Sequence, residues 1–254
     1  MNKYQKIKFK WSVARRVFSD SHFPDVATQS ALELRKKPIR HEIINYLIGS
    51  LKKAEQKYLE IGVRKPEENF NKILASEKYG VDPGVEFEEN PVEFKMKSDE
   101  FFDQLGKGSV LTKDYRFDVI FVDGLHTAEQ ADRDIVNSLQ FLSDDGYVIV
   151  HDCNPPSEYH AREKYDFWSS PALDHWNGTT WKAFFKHRRR NDISSCCIDS
   201  DWGVGILSKR KHLGAPCIIS NDFFEYDVLK TNRKECLNLC SFEELKQLVS
   251  QSDL

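Results

Sequence analysis

The chain has 254 residues, 40% of them hydrophobic, 30% charged and 12% aromatic, with a formal net charge of −3. That length holds one large α/β domain with a sizeable core. The balance of charge calls for neither a nucleic acid nor a membrane as partner, and no stretch approaches the roughly 20 apolar residues of a membrane span.

The first 18 positions carry Lys3, Lys6, Lys8, Lys10, Arg15 and Arg16 and no acid. They lack the apolar run of a signal peptide, so a cytoplasmic chain is expected. The basic start reads first as a solvated face, with phosphates or an acidic partner as its functional alternative. Up to position 55 there is no strand alternation. Over 31–53, Leu32, Leu34, Ile39, Ile43, Ile44, Leu47 and Leu51 recur at helical spacing, and Pro38 divides two helices.

From Lys57 the pattern changes to short apolar runs at 58–61, 78–81, 92–96, 117–122 and 146–150, with helical stretches at 66–76, 98–105 and 127–142. Runs this short suit strands buried on both faces, and their alternation with helices predicts a mainly parallel sheet. After Val150 the alternation lapses for about forty residues, an interruption that in a compact domain is usually functional. It returns at 193–198 and 203–208, and Phe223, Phe224, Tyr226, Leu229 and an amphipathic 242–249 then read as a tail folded on the body. Six cysteines, at 153, 196, 197, 217, 236 and 240, form no C-x-x-C pair and are expected to be reduced and mostly buried.

In an open α/β sheet ligands bind beyond the carboxyl ends of the strands, which makes the residues after each run the candidates. The first run ends in Glu60-Ile61-Gly62, where glycine lets the backbone approach a ligand closely. Glu67 and Glu68 behind Pro66 would repel a pyrophosphate, and no G-x-G-x-x-G follows, which disfavours a dinucleotide- or nucleotide-sugar-dependent oxidoreductase as the rival enzyme class. Asp82, twenty residues past Gly62, can accept hydrogen bonds from ribose hydroxyls or merely start the Asp-Pro-Gly turn. Ser98 and Asp99 either contact an adenine edge or cap a helix.

The run 117–122 delivers Asp123-Gly124-Leu125-His126, and an imidazole with an unperturbed pKa of about 6.5 suits proton removal near neutrality. The run 146–150 ends in His151-Asp152. If that pair converges on Asp123, the three side chains could hold a divalent cation that acidifies and orients a hydroxyl. Carboxylates favour magnesium, while an imidazole ligand widens the choice of metal. The structural alternative for each of these residues is a helix cap.

Phe-Asp-Val-Ile-Phe-Val-Asp-Gly-Leu-His over 117–126, followed by Asp-Gly-Tyr-Val-Ile-Val-His-Asp over 145–152, resembles the class I S-adenosylmethionine-dependent methyltransferase family that includes macrolide-sugar O-methyltransferases and cephalosporin-hydroxylase-type proteins. The resemblance runs from about Tyr58 to Asp152 and resumes at 176–182 and 201–205. It implies an α/β, Rossmann-like fold with a mainly parallel sheet and helices on both faces. It also implies cofactor contacts at Glu60, Gly62 and Asp82; the convergence of acidic strand tips adds Asp123 to the expected grip on the adenosyl group. From the family's metal-dependent members it implies a metal ligand at Asp123, a catalytic base at His126 and further ligands at 151 and 152. Two positions depart from the pattern: Lys65-Pro66-Glu67-Glu68 stands where further glycines are usual, and His151 replaces an acid.

The expected organisation is one domain over 1–254, with a helical extension (1–55), a core (56–208) carrying an insert (153–192), and a tail (209–254). Tyr159, Tyr165, Phe167, Trp168, Trp176 and Trp181 crowd the insert. They suit either the flat face of a sugar-like acceptor or the small core of a cap. The resemblance implies the reaction class and leaves the acceptor open; together with the aromatic insert the expectation is O-methylation of a small sugar-like or glycosylated acceptor, with a homo-oligomer compatible with the chain. A non-catalytic relative that keeps the fold as a binding module is the alternative outside enzymes.

Overall fold

The apolar runs become strands because both of their faces are covered. A computed structural model describes residues 3–87, 89–167 and 169–251. Its strands are β1 (Lys57–Ile61), β2 (Glu77–Val81), β3 (Phe117–Val122), β4 (Leu142–Val150), β5 (Ser194–Ile198), β6 (Val204–Ser208) and β7 (Leu239–Cys240). They form one sheet in the order β2-β1-β3-β4-β6-β5-β7. Neighbours from β2 to β4 pair in parallel, and among the described strands only β6 runs reversed. The carboxyl ends of β1 to β4 and the entry to β6 therefore share one edge, where an α/β sheet binds ligands.

Three helices precede the sheet: α1 (Lys3–Ser19), α2 (His22–Glu33) and α3 (Arg40–Ser50). Then come α4 (Ser98–Lys107), α5 (Ala128–Phe141), α6 (Thr180–Arg188), α7 (Tyr226–Thr231), α8 (Arg233–Leu237) and α9 (Phe242–Gln251). On one face Ile43, Ile44, Leu47 and Ile48 of α3, with Leu245 and Val249 of α9, pack on Tyr58, Val119, Phe121, Tyr147 and Ile149. On the other face α4, α5 and α6 supply Phe101, Leu105, Ile135, Leu139, Trp181 and Phe184 against Leu59, Ile61, Ile120, Val148 and Val150. Burying each such side chain stabilises the fold by about 1.5–3 kcal/mol before entropy is counted. No helix among the described residues is long and apolar enough to cross a membrane.

Two expected elements change form. The strand expected at 92–96 shrinks to a single bridge between Val81 and Phe94. Pro91 brings no N–H, and the Glu93 carboxylate takes the Gly80 amide, so a side chain occupies a place the ladder would need. The helix expected at 66–76 forms only a 3-10 turn, Phe70–Lys72. Asn45 of α3 donates to the Lys72 carbonyl and accepts the Leu74 amide, both at 2.9 Å. Those backbone groups find side-chain partners and gain little from a helix.

Candidate active site

Backbone contact brings the strand tips together. Gly62 has φ +90°, and a Cβ built on it would lie 2.2 Å from the Asp123 carbonyl oxygen, so only glycine fits between the exits of β1 and β3. Beyond the strands the ladder continues, Asp123 N donating to Ile61 O at 2.9 Å and His151 N to Val122 O at 3.0 Å. Asp152 follows at φ +61°, a left-handed conformation that costs an aspartate energy and is commonest at functional sites. Asn177 Nδ2 holds its Oδ1 at 2.9 Å.

The side chains at this edge form one charge network. His151 Nδ1 lies 3.1 Å from both Asp123 Oδ1 and Asp152 Oδ2. His126 Nδ1 is 3.2 Å from Asp152 Oδ2 and 3.0 Å from the Trp176 carbonyl, and its Nε2 is 3.5 Å from Asp123 Oδ1. Arg40, the first residue of α3, donates to Asp123 Oδ2 at 2.6 Å and grips both oxygens of Asp201 at 2.9 and 3.2 Å. Burial alone would raise the Asp123 carboxyl, yet the charges of His151 and Arg40 hold it well below the usual carboxylate range. Burial opposes a charged His126, but Asp152 and Asp123 outweigh it and lift the imidazole to about 9. His151 is likewise raised, Asp123 and Asp152 overcoming burial and the repulsion of Arg40.

Asp123, His126 and Asp152 each offer one ligand atom, all within 4.8 Å of one another. His151 stands beside them, and both of its ring nitrogens are buried without a well-aligned hydrogen bond. The convergent set thus contains His126 in addition to the residues at 123, 151 and 152 read from the sequence.

Glu60 points to the α3 face and is buried, its Oε2 accepting from the Tyr58 hydroxyl at 2.6 Å and from Asn69 Nδ2 at 2.8 Å. Burial dominates and pushes its pKa up to about 7. A carboxyl raised on folding from its ordinary 4.5 makes the native state hold the proton more tightly, so its contribution to stability falls as pH rises through about 7. Glu60→Gln, which keeps an oxygen for both donors, is expected to stabilise the protein by about 2 kcal/mol above pH 7 and to change little near pH 4. Melting curves across that range check it; a variant with the same pH dependence as the parent would contradict the assignment.

Asp82 sits at the tip of β2, half-buried, with Oδ1 accepting the Gly84 amide at 2.6 Å, so it does initiate the Asp-Pro-Gly turn. Ser98 opens α4 and accepts from Gln130 Nε2 at 3.1 Å. Gln130 also binds Asp134, whose Oδ2 comes within 3.9 Å of a Cβ built on Gly124. Ser98 is thereby tied to the rim of the tips, and so is the more exposed Asp99, whose Oδ1 also accepts from Gln130 Nε2 at 3.2 Å while its other oxygen pairs with Arg133 at 3.2 Å.

The insert closes over His126. Trp176 stacks on its ring at 5.2 Å, and Tyr165 meets Trp176 at 5.6 Å with the two rings tilted. Gly178, at φ +62°, abuts the His126 carbonyl, a Cβ there lying 2.0 Å from that oxygen. Trp181 is instead fully buried in the core, so the crowded aromatics divide between a ring-lined face and packing; Trp168 lies outside the described residues.

Sequence reasoning missed Arg40, Asp201 and Asn177 as members of this cluster. An arginine opening a helix opposes the dipole unless an external anion holds it, and that was the one local sign available for Arg40.

Residues 47–153 match the profile of a family described as a methyltransferase domain. No curated protein matches the chain. Among solved structures, the O-methyltransferase from Bacillus cereus in complex with SAH shares 13% identity over 74% of this chain and 89% of its own, with a TM-score of 0.41. The MycE methyltransferase of the mycinamycin biosynthetic pathway, in complex with Mg and SAH, shares 14% over 82% of this chain, which spans 60% of that one, with a TM-score of 0.43. The O-methyltransferase TomG from Streptomyces achromogenes, in complex with SAM, shares 11% over 75% of this chain and 90% of its own, with a TM-score of 0.40. Over residues 47–153, which hold β1 to β4 and the tips bearing Gly62, Asp82, Asp123, His126, His151 and Asp152, the chain is thus similar to a methyltransferase domain.

Proposed function

We propose that the chain is an S-adenosylmethionine-dependent methyltransferase acting on an oxygen of a small, sugar-like acceptor. The observation that carries this reading is His126 beside Asp123 at the tip of β3, one strand from the Gly62 turn of β1. Glu60, Gly62, Asp82, Ser98, Asp99 and Asp123 are the proposed cofactor residues. Acids at adjoining tips suit a sulfonium, an ammonium and ribose hydroxyls. Asn69 Oδ1, buried next to Glu60 without a hydrogen-bond partner, fits a donor such as that ammonium.

When bound, S-adenosylmethionine would supply an electrophilic methyl carbon for in-line displacement by an acceptor oxygen, with its sulfur as the leaving group. The chain's own residues then have two tasks, alignment and proton removal. The Trp176 carbonyl engages Nδ1 of His126, which leaves Nε2 to take the hydroxyl proton. His126 is charged as the cluster stands, and a cationic ligand entering beside it favours the neutral, accepting imidazole. Trp176 and Tyr165 offer a ring face for a sugar.

The donor chemistry also fits a divalent cation. Asp123, Asp152 and His151 are the set we propose, because an imidazole that ligates a cation cannot also accept the acceptor's proton, and this choice leaves His126 free. When bound, the ion would lower the pKa of an acceptor hydroxyl and orient it.

Incubation with methyl-labelled S-adenosylmethionine and a panel of hexoses, deoxyhexoses and glycosides is expected to place label on a hydroxyl oxygen. Label found only on amines or thiols would overturn the oxygen assignment.

A further inference from the structure

The strand-tip chemistry makes no use of α1, whose residues include none that is buried. At 3.6 residues per turn, Tyr4, Ile7, Trp11, Ala14 and Phe18 fall on one stripe roughly 80° wide. The stripe is open to solvent: Tyr4 is 74%, Ile7 48%, Trp11 75% and Phe18 90% exposed. Lys3 and Lys10 border it on one side and Lys8 and Arg15 on the other; with Lys6 and Arg16 the helix carries six basic residues and no acid. Val13, the one residue of α1 that is half-buried, lies on the far side, so the stripe faces away from the body.

Aromatic rings in a narrow apolar stripe, flanked on both sides by long basic side chains, match the chemistry of an anionic bilayer surface. The rings enter the headgroup and acyl boundary, the Lys and Arg stems run along it, and the charged ends remain at the lipid phosphates. At about 25 Å long and this heavily charged, such a helix lies in the interface and does not cross the bilayer. A second copy of the chain fits poorly, because pairing two stripes would set the flanking Lys3, Lys8, Lys10 and Arg15 of one copy against those of the other. A nucleic acid would engage the cations and leave Tyr4, Trp11 and Phe18 in water.

We infer that α1 docks the protein peripherally on an anionic lipid surface, with Trp11 and Phe18 inserted and Lys3, Lys8, Lys10 and Arg15 at the phosphates. This inference is independent of the methyltransferase reading.

Flotation of the full chain with vesicles of phosphatidylcholine alone, or with roughly one-third phosphatidylserine, tests it. About tenfold more protein is expected on the anionic vesicles, with the excess lost in high salt. Trp11→Ser with Phe18→Ser, and separately Lys8→Gln with Lys10→Gln, should each abolish the excess and leave the melting temperature unchanged, since neither pair removes a buried group. Equal recovery on both vesicle types, or recovery on neither, overturns the inference. Retention on poly-glutamate or heparin without vesicle binding would assign the helix to an acidic polymer and overturn it. A concentration-dependent dimer in sedimentation that Trp11→Ser dissolves would likewise overturn it in favour of a second copy.

Discussion

Arg40→Met is expected to lower the melting temperature by roughly 10 °C, a loss of about 3 kcal/mol in a chain of this size. The arginine spans Asp123 and Asp201, whose side chains are 15% and 11% exposed, and shares them with His151, whose ring nitrogens lie 3.1 and 3.7 Å from the same two carboxylates. Taking it away leaves two largely buried carboxylates near Asp152 with only the histidines to balance them. Uncompensated charge of that kind is costlier than the pair is worth, although the exposed quarter of the guanidinium screens part of the effect. Arg40→Lys keeps the charge and gives up the fork that holds both Asp201 oxygens, so partial recovery is expected. Arg40→Met combined with Asp201→Asn should recover more, because it removes a stranded charge. Thermal melts of the three variants decide the matter. A single Arg40→Met protein melting with the parent would show that water already neutralises the cluster.

His126→Ala is expected to lower kcat by about 10²–10⁴-fold, the range for removing a general base. Affinity for the demethylated cofactor should remain close to that of the parent. The separation follows from the geometry: His126 lies on the insert side of the cluster under Trp176, whereas Glu60 and Asp82 stand at the tips of β1 and β2. Steady-state turnover together with cofactor titration checks both halves. Equal losses in turnover and in cofactor binding would make His126 a binding residue and remove the proposed base.

The strand tips were legible because each one ends a short apolar run, and burial on two faces writes that run continuously into the sequence. Gly62, Asp82, Asp123, His126, His151 and Asp152 all follow such runs. Arg40 and Asp201 were not, since Arg40 reaches Asp123 across 83 positions and Asp201 across 161, and local patterns hold no information on which distant segment packs where. The failures at 66–76 and 92–96 have the same origin. Asn45 and Glu93 supply hydrogen bonds from outside the local backbone and replace those a helix or ladder would have made. Composition also could not separate Trp176, which lies on the His126 ring, from Trp181, which fills the core.

Titration calorimetry with S-adenosylhomocysteine, on the parent and on Asp82→Ala, bears most directly on the proposal that adjoining strand tips form a cofactor crevice. One molecule bound per chain, with affinity at least about tenfold weaker in the variant as expected for a lost charged hydrogen bond, is the expected result. A folded parent that releases no heat and shows no stabilisation at millimolar ligand would contradict it.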